Sequence, residues 1–322
     1  MATVTATRGN PFVFVVGCPR SGTTLLQRML DNHPQLAIAN DSNFIFKAMK
    51  AALPDSHTWI KQRMNPPLLP ELAEFVRTYK RFVRLGLPDA DVRAAAVRCR
   101  TFSEYVAALY DLLARARGKP FAGEKTPDYV RRMPLLHSLF PATPFVHIIR
   151  DARDVALSVR EWALDERGPA KFEIWRAEPM ATCALWWCWM VATGRRDGAA
   201  LGPRLYLEVG YERLVAEPEA TLRQVAAFLE LPYDDAMLRY HQGRAGYEPG
   251  TSAKSAWLPP TVGLRDWRTQ MAARDVQVVE AIAVELLDEL GYQRSTAPDD
   301  EVIATVARCR RWWHSGSKDG HE

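Results

Sequence analysis

The chain lacks a hydrophobic run long enough to span a bilayer. Residues 1–10 carry Arg8 but no long apolar stretch, and Phe12–Val16 is too short for a signal core. The most apolar longer window, Met180–Thr193, has 14 residues and is closed by Arg195 and Arg196, so a buried helix is expected there. Cysteine is scarce: Cys18, Cys99, Cys183, Cys188 and Cys309 are odd in number and show no CxxC spacing. That pattern indicates neither a disulfide framework nor a thiolate zinc site, and it fits a reducing cytosol. The histidines are scattered without HxH or HExxH spacing, so no metal site is expected. No internal repeat or low-complexity block is present. Lys plus Arg number 42 against 38 Asp plus Glu, a net charge of +4. Such a mild excess argues against nucleic-acid binding but suits a protein that holds one small polyanion. A cytoplasmic location without a membrane span is the expectation.

What is present is enough for a large core: 322 residues, 48% of them hydrophobic, are read as one domain over residues 1–322. Phe12–Val16 is a β-branched and aromatic run, expected as a strand buried on both faces. Gly17-Cys18-Pro19-Arg20-Ser21-Gly22 follows as a turn, and Leu25, Leu26, Met29 and Leu30 then recur at helical spacing to Asp31. Phe145–Ile149 and Leu205–Val209 read as further strands, the first followed by a helical pattern to about Ala163. Residues 44–118 read as helices and loops broken by Pro66, Pro67 and Pro70, including an amphipathic helix over Phe102–Arg117. They are expected to form a helical cap. Helices are also expected over Pro218–Leu229, Asp275–Leu290 and Glu301–Trp313, the last packing back onto the domain, with Ser315–Glu322 as a frayed tail. The fold class is therefore α/β: a P-loop-like, mostly parallel sheet flanked by helices, with a helical cap insertion.

Gly17 and Gly22, separated by four residues between a strand and a helix, have the layout of a phosphate-binding loop. Glycine allows close backbone approach, the first helical amides point at the anion, and Arg20, Ser21, Thr23 and Thr24 add charge and hydroxyl donors. A nucleotide-hydrolysing loop has Lys directly after its second glycine; here that position is Thr23. A magnesium–triphosphate site is thereby disfavoured, and a small-molecule kinase becomes the weaker alternative. Arg150 stands at the C-terminal end of a buried strand, where open α/β sheets bind ligands. Asp151 can cap the following helix, and Asp154 can pair with Arg150 across one turn.

Taken together, Gly17-Cys-Pro-Arg-Ser-Gly-Thr-Thr-Leu-Leu26 and Ile149-Arg-Asp-Ala-Arg-Asp-Val-Ala-Leu-Ser158 resemble the paired 5'-phosphosulfate and 3'-phosphate motifs of sulfotransferases. These enzymes use 3'-phosphoadenosine 5'-phosphosulfate (PAPS), and the resemblance is to the bacterial and tyrosylprotein branches. It continues in His33-Pro34, Gly123-Glu-Lys-Thr-Pro127, Tyr211-Glu-Arg-Leu-Val215 and, weakly, Gly263-Leu-Arg-Asp-Trp-Arg268. The resemblance implies that Arg20, Ser21, Gly22, Thr23 and Thr24 hold the 5'-phosphosulfate. It further implies that Arg150 and Ser158 bind the 3'-phosphate with help from Arg265, and that Tyr211 lies near the adenosine. Relatives usually carry Glu where this chain has Asp41; the resemblance makes Asp41 the general base, with a helix-capping carboxylate as the other reading. Lys125 would stabilise charge on the leaving phosphate alongside Arg20, its other reading being a solvated lysine paired with Glu124. The implied reaction is metal-free in-line transfer to a small-molecule, glycan, lipid or peptide hydroxyl. A non-catalytic nucleotide-binding protein of the same fold is a further alternative. Phe44–Gly118, Gly168–Glu178 and Gly246–Pro260 are expected to shape the acceptor pocket, and Trp257 or Trp267 could stack on adenine or pack in the core.

Overall fold

The computed structural model describes residues 9–162, 168–242, 258–295 and 297–316. Five parallel strands, β1 (Phe14–Val16), β2 (Leu36–Asn40), β3 (Phe121–Lys125), β4 (Phe145–Ile149) and β5 (Tyr206–Gly210), form one sheet in the order β2-β3-β1-β4-β5. The helices are α1 (Thr23–Asp31), α2 (Phe44–Ala52), α3 (Ser56–Lys61), α4 (Pro70–Thr78), α5 (Lys80–Val83), α6 (Asp89–Arg98), α7 (Phe102–Ala116), α8 (Met133–Leu139), α9 (Ala152–Trp162), α10 (Pro179–Leu201), α11 (Tyr211–Ala216), α12 (Pro218–Phe228), α13 (Trp267–Gln270), α14 (Ala273–Glu289) and α15 (Asp300–Gly316). The expected α/β architecture is what the chain adopts.

Alternation along the strands builds two cores. Phe14, Val16, Phe145 and Ile149 face the layer containing α7, α9, α10 and α14; Val13, Val15, Val146 and Ile148 face the one containing α1 and α12. Burial on both faces is the reason these strands read as continuous apolar runs.

β2 and β3 were not foreseen as strands. β3 is Phe-Ala-Gly-Glu-Lys, poor in β-formers, yet it lies between β2 and β1 in parallel register, Phe14 opposite Glu124 and Ala37 opposite Ala122. Burial against neighbours overrides its propensity. Gly123 is required by close approach, since a Cβ there would stand 2.4 Å from the Val13 carbonyl oxygen.

The buried helix expected at Met180–Thr193 continues through Arg195 and Arg196 to Leu201. Arg195 does not end it because its guanidinium turns outward to Glu208 and Glu289, at 3.1 and 2.6 Å. α15 runs to Gly316, so Ser315 and Gly316 are helical rather than frayed; residues 317–322 lie outside the described part, as does Ala163. Trp313 is buried beside Trp189 and Phe172, which docks α15 as anticipated. Among the described residues no helix is long and apolar enough to cross a membrane.

Candidate active site

The C-terminal ends of β1, β2, β3 and β4 bring the predicted residues toward one side of the sheet. After β1 the chain turns through Arg20, at φ 77°, and Gly22, at φ 93°, into α1. No side chain caps the first turn of α1, and no acidic residue lies in it, so its leading amides and dipole stay available to an anion. Gly22 is needed twice over: its φ is left-handed, and a Cβ would meet the Tyr211 ring at 2.3 Å.

The Gly17–Leu26 segment and the Ile149–Ser158 segment meet. Arg20 Nε donates to Ser158 Oγ at 2.9 Å, joining the β1 loop to the second turn of α9 across 138 residues of chain. The Arg150 guanidinium lies 4.2 Å from the centre of the Tyr211 ring and pairs with Asp154 at 3.3 Å. Tyr211 is therefore in contact with both the Gly22 turn and the Arg150 guanidinium. Burial, reinforced by the nearby positive Arg265 and Arg150, lowers the pKa of Arg20 from the ordinary arginine value. Ser21 Oγ and Arg150 Nε are buried and have no hydrogen-bond partner among the described residues. Buried donors left unmade are costly. Arg20, with the positive Arg150 and Arg265 near it, and two orphaned donors fit an anion with two separated charged groups.

The remaining predicted residues are placed as follows. Asp151 Oδ1 accepts from the Arg153 amide at 2.9 Å, the foreseen cap. Arg265 forms a two-pronged pair with Glu161, and Asp154 Oδ1 accepts from the Trp267 amide at 3.0 Å, which ties the Arg265 segment to α9. Trp267 is buried with the Arg153 guanidinium 3.8 Å from its ring, so it packs in the core; Trp257 and residues 246–257 lie outside the described part.

Lys125, at the end of β3, is 3% exposed, and its Nζ is 3.4 Å from Thr24 Oγ1. Burial pulls its pKa below the ordinary 10.5, against the opposing pull of Asp41 and Glu124. A solvated lysine is thus ruled out. Glu124 is fully buried and turned toward the β2–α2 loop instead, accepting from Ser42 Oγ at 2.7 Å, the Asn43 amide at 2.8 Å, Thr126 Oγ1 and Tyr110 Oη. Burial raises its pKa, while those four donors act the other way. Asp41 does not cap α2; Asn43 holds the N-cap position. The Asp41 amide donates to the Lys125 carbonyl at 2.6 Å, and its half-exposed carboxylate pairs with Arg81 of α5 at 3.1 Å. Glu124 and Arg81 are the two contributors that sequence reading missed. Arg81 lies 40 residues away in the motif-free cap and gave no local signal.

Among the described residues no group of three or more His, Cys, Asp or Glu is arranged to hold a metal. Protein-tyrosine sulfotransferase A of Caenorhabditis elegans is 26% identical over 235 residues, covering 73% of this chain and 54% of that protein. Nodulation protein NoeE of Sinorhizobium fredii is 28% identical over 331 residues, covering 93% of this chain and 73% of its own length. The chain thus spans between about half and three quarters of these two relatives. The sulfotransferase domain of the Synechococcus PCC 7002 olefin synthase shares the fold with a TM-score of 0.58 at 22% identity, covering 87% of this chain and 94% of that domain. Residues 11–235, which hold both strand ends, Asp41, Lys125 and Tyr211, match the profile described as "Sulfotransferase family", and the chain belongs to that family.

Proposed function

We propose that the protein transfers a sulfuryl group from PAPS to an acceptor hydroxyl. The observation that supports this reading is the meeting of the two segments expected to hold the phosphates, Arg20 against Ser158, with Tyr211 touching both Gly22 and Arg150. Arg20, Ser21, Gly22, Thr23 and Thr24 grip the 5'-phosphosulfate through guanidinium, hydroxyls and the amides of α1. Arg150 and Ser158 hold the 3'-phosphate, Arg265 closes on it, and Tyr211 lines the nucleotide between them. PAPS supplies the sulfuryl group together with a phosphate leaving group.

Asp41 takes the proton from the acceptor hydroxyl, whose oxygen then bonds to sulfur as the bond from sulfur to the 5'-phosphate oxygen breaks. Lys125 and Arg20 face the oxygen that gains charge in that step. Sulfuryl transfer leaves less charge to neutralise than phosphoryl transfer, and these cations and the backbone amides supply that stabilisation without a metal. The helices of residues 44–116 and the 168–178 segment bound the acceptor side as a cap within one domain. Small-molecule, glycan, lipid and peptide hydroxyls all fit this chemistry, and the cytoplasm is the proposed location.

The test is a thermal shift. Adenosine 3',5'-bisphosphate without metal is expected to raise the melting temperature, and Arg20→Ala or Arg150→Ala to shrink the rise. Stabilisation by ATP with magnesium but not by the bisphosphate would overturn the assignment in favour of a kinase.

A further inference from the structure

The structure points to a role for a residue outside the recognised motifs: we infer that Arg81, on the cap, is the positioning residue for Asp41. The inference rests on the reading of Asp41 as the base. Arg81 Nη1 reaches two oxygens of the same residue, Asp41 Oδ2 at 3.1 Å and the Asp41 carbonyl at 3.4 Å. Holding side chain and main chain of one residue at once fixes the first side-chain torsion, and with it the direction in which the carboxylate points.

Both partners are themselves anchored. Asp41 and Asn43 adopt left-handed φ values of 51° and 49°, and this tight loop is pinned to β3 by the Asp41 amide on the Lys125 carbonyl and by Ser42 and Asn43 on Glu124. Arg81 belongs to a short helix whose next residue, Phe82, is buried edge-on against Phe44 at 5.0 Å. Phe44 packs on Tyr110 at 5.8 Å, and Tyr110 donates to the same Glu124 carboxylate. The contacts close a ring: Asp41, Arg81, Phe82, Phe44, Tyr110, Glu124 and back to the Asp41 loop.

A ring of this kind answers a specific need. Aspartate has one methylene and one torsion fewer than glutamate, so it cannot reach for a misplaced hydroxyl. Its carboxylate has to be aimed by its surroundings, and a displacement of about 1 Å costs on the order of a hundredfold in rate. Arg81 supplies the aim from the cap side, while Glu124 fixes the backbone from the sheet side.

The experiment uses the full chain with PAPS and 2-naphthol as the probe acceptor, together with crystals grown with adenosine 3',5'-bisphosphate. Arg81→Met is expected to lower kcat roughly tenfold to hundredfold with the 2-naphthol KM changed by less than about threefold. Arg81→Lys recovers most of the loss, the neighbouring exposed Arg84→Met matches wild type, and the bisphosphate-induced thermal shift is the same in all. In crystals of Arg81→Met the Asp41 carboxylate leaves its wild-type rotamer. An unchanged rotamer, an undiminished kcat, or a loss confined to KM would overturn the inference; if wild type does not turn over 2-naphthol, the rotamer alone decides. Full activity of Asp41→Asn would instead remove the base assignment on which the inference stands.

Discussion

Lys125→Met separates stability from function at a single residue. Lys125 is 3% exposed, and the contact of its Nζ to Thr24 Oγ1 at 3.4 Å is longer than a good charge-assisted hydrogen bond of about 2.7–2.9 Å. Its charge is therefore desolvated with little return from hydrogen bonds to the described residues, and burial is the largest cause of its lowered pKa. Replacing such an ion by an apolar group of similar volume is expected to stabilise by about 1–2 kcal/mol. With about 2 cal/mol/K of unfolding entropy per residue, 1 kcal/mol corresponds to about 1.5 °C in 322 residues, so the melting temperature should rise by about 2–3 °C. On the proposed role of Lys125 binding moves the other way: loss of one charge-assisted phosphate contact is worth about 1.5–3 kcal/mol, roughly tenfold to hundredfold in Kd for adenosine 3',5'-bisphosphate.

The pH dependence fixes the sign. A lysine whose folded pKa is lowered binds fewer protons folded than unfolded, so wild-type stability rises with pH between the folded value and 10.5. The advantage of Lys125→Met should be largest near neutrality and shrink as pH approaches 10.5. Scanning calorimetry of both proteins with and without the bisphosphate checks all three statements. A variant less stable than wild type, or one that binds the nucleotide equally well, would refute the reasoning.

Two further outcomes follow from the packing. Gly22→Ala places a methyl 2.3 Å from the Tyr211 ring at a φ of 93°, and calorimetric titration should show bisphosphate binding weakened at least about tenfold. Arg153→Met leaves the carboxylates of Asp151, which Arg153 holds with two hydrogen bonds, and Glu280, which it holds with one, buried without that shared guanidinium, with predicted destabilisation of about 3–5 kcal/mol by chemical denaturation.

The parts of the site legible in the sequence are those where local chemistry is unusual. The Gly17–Gly22 loop and Arg150 each follow a run of β-branched and aromatic residues, so their place at strand ends could be read before any coordinates. β2 and β3 escaped because Leu-Ala-Ile-Ala-Asn and Phe-Ala-Gly-Glu-Lys owe their conformation to neighbours rather than to propensity. Lys125 was recognised from its motif, but its burial follows from the end of β3 being packed between two other strands. Only the alternative reading of Lys125, as a solvated lysine, gives Glu124 a role, that of its surface partner. Residues adjacent on a strand point to opposite faces, and that alternation sends its carboxylate to Tyr110 and Ser42. Arg81 is beyond any local reading, since its distance from Asp41 is set by how the cap helices dock.

The Tyr211 ring carries a consequence for ligand discrimination. Its edge abuts the glycine proposed to admit one phosphate, and its face supports the arginine proposed to meet the other. On that proposal a nucleotide bearing only one phosphate engages only one of the two elements that touch this ring, so the two ends are not felt independently. On the proposed reading, preference for a doubly phosphorylated adenosine over the abundant singly substituted ones is written into one aromatic side chain, as cooperativity within a single ligand.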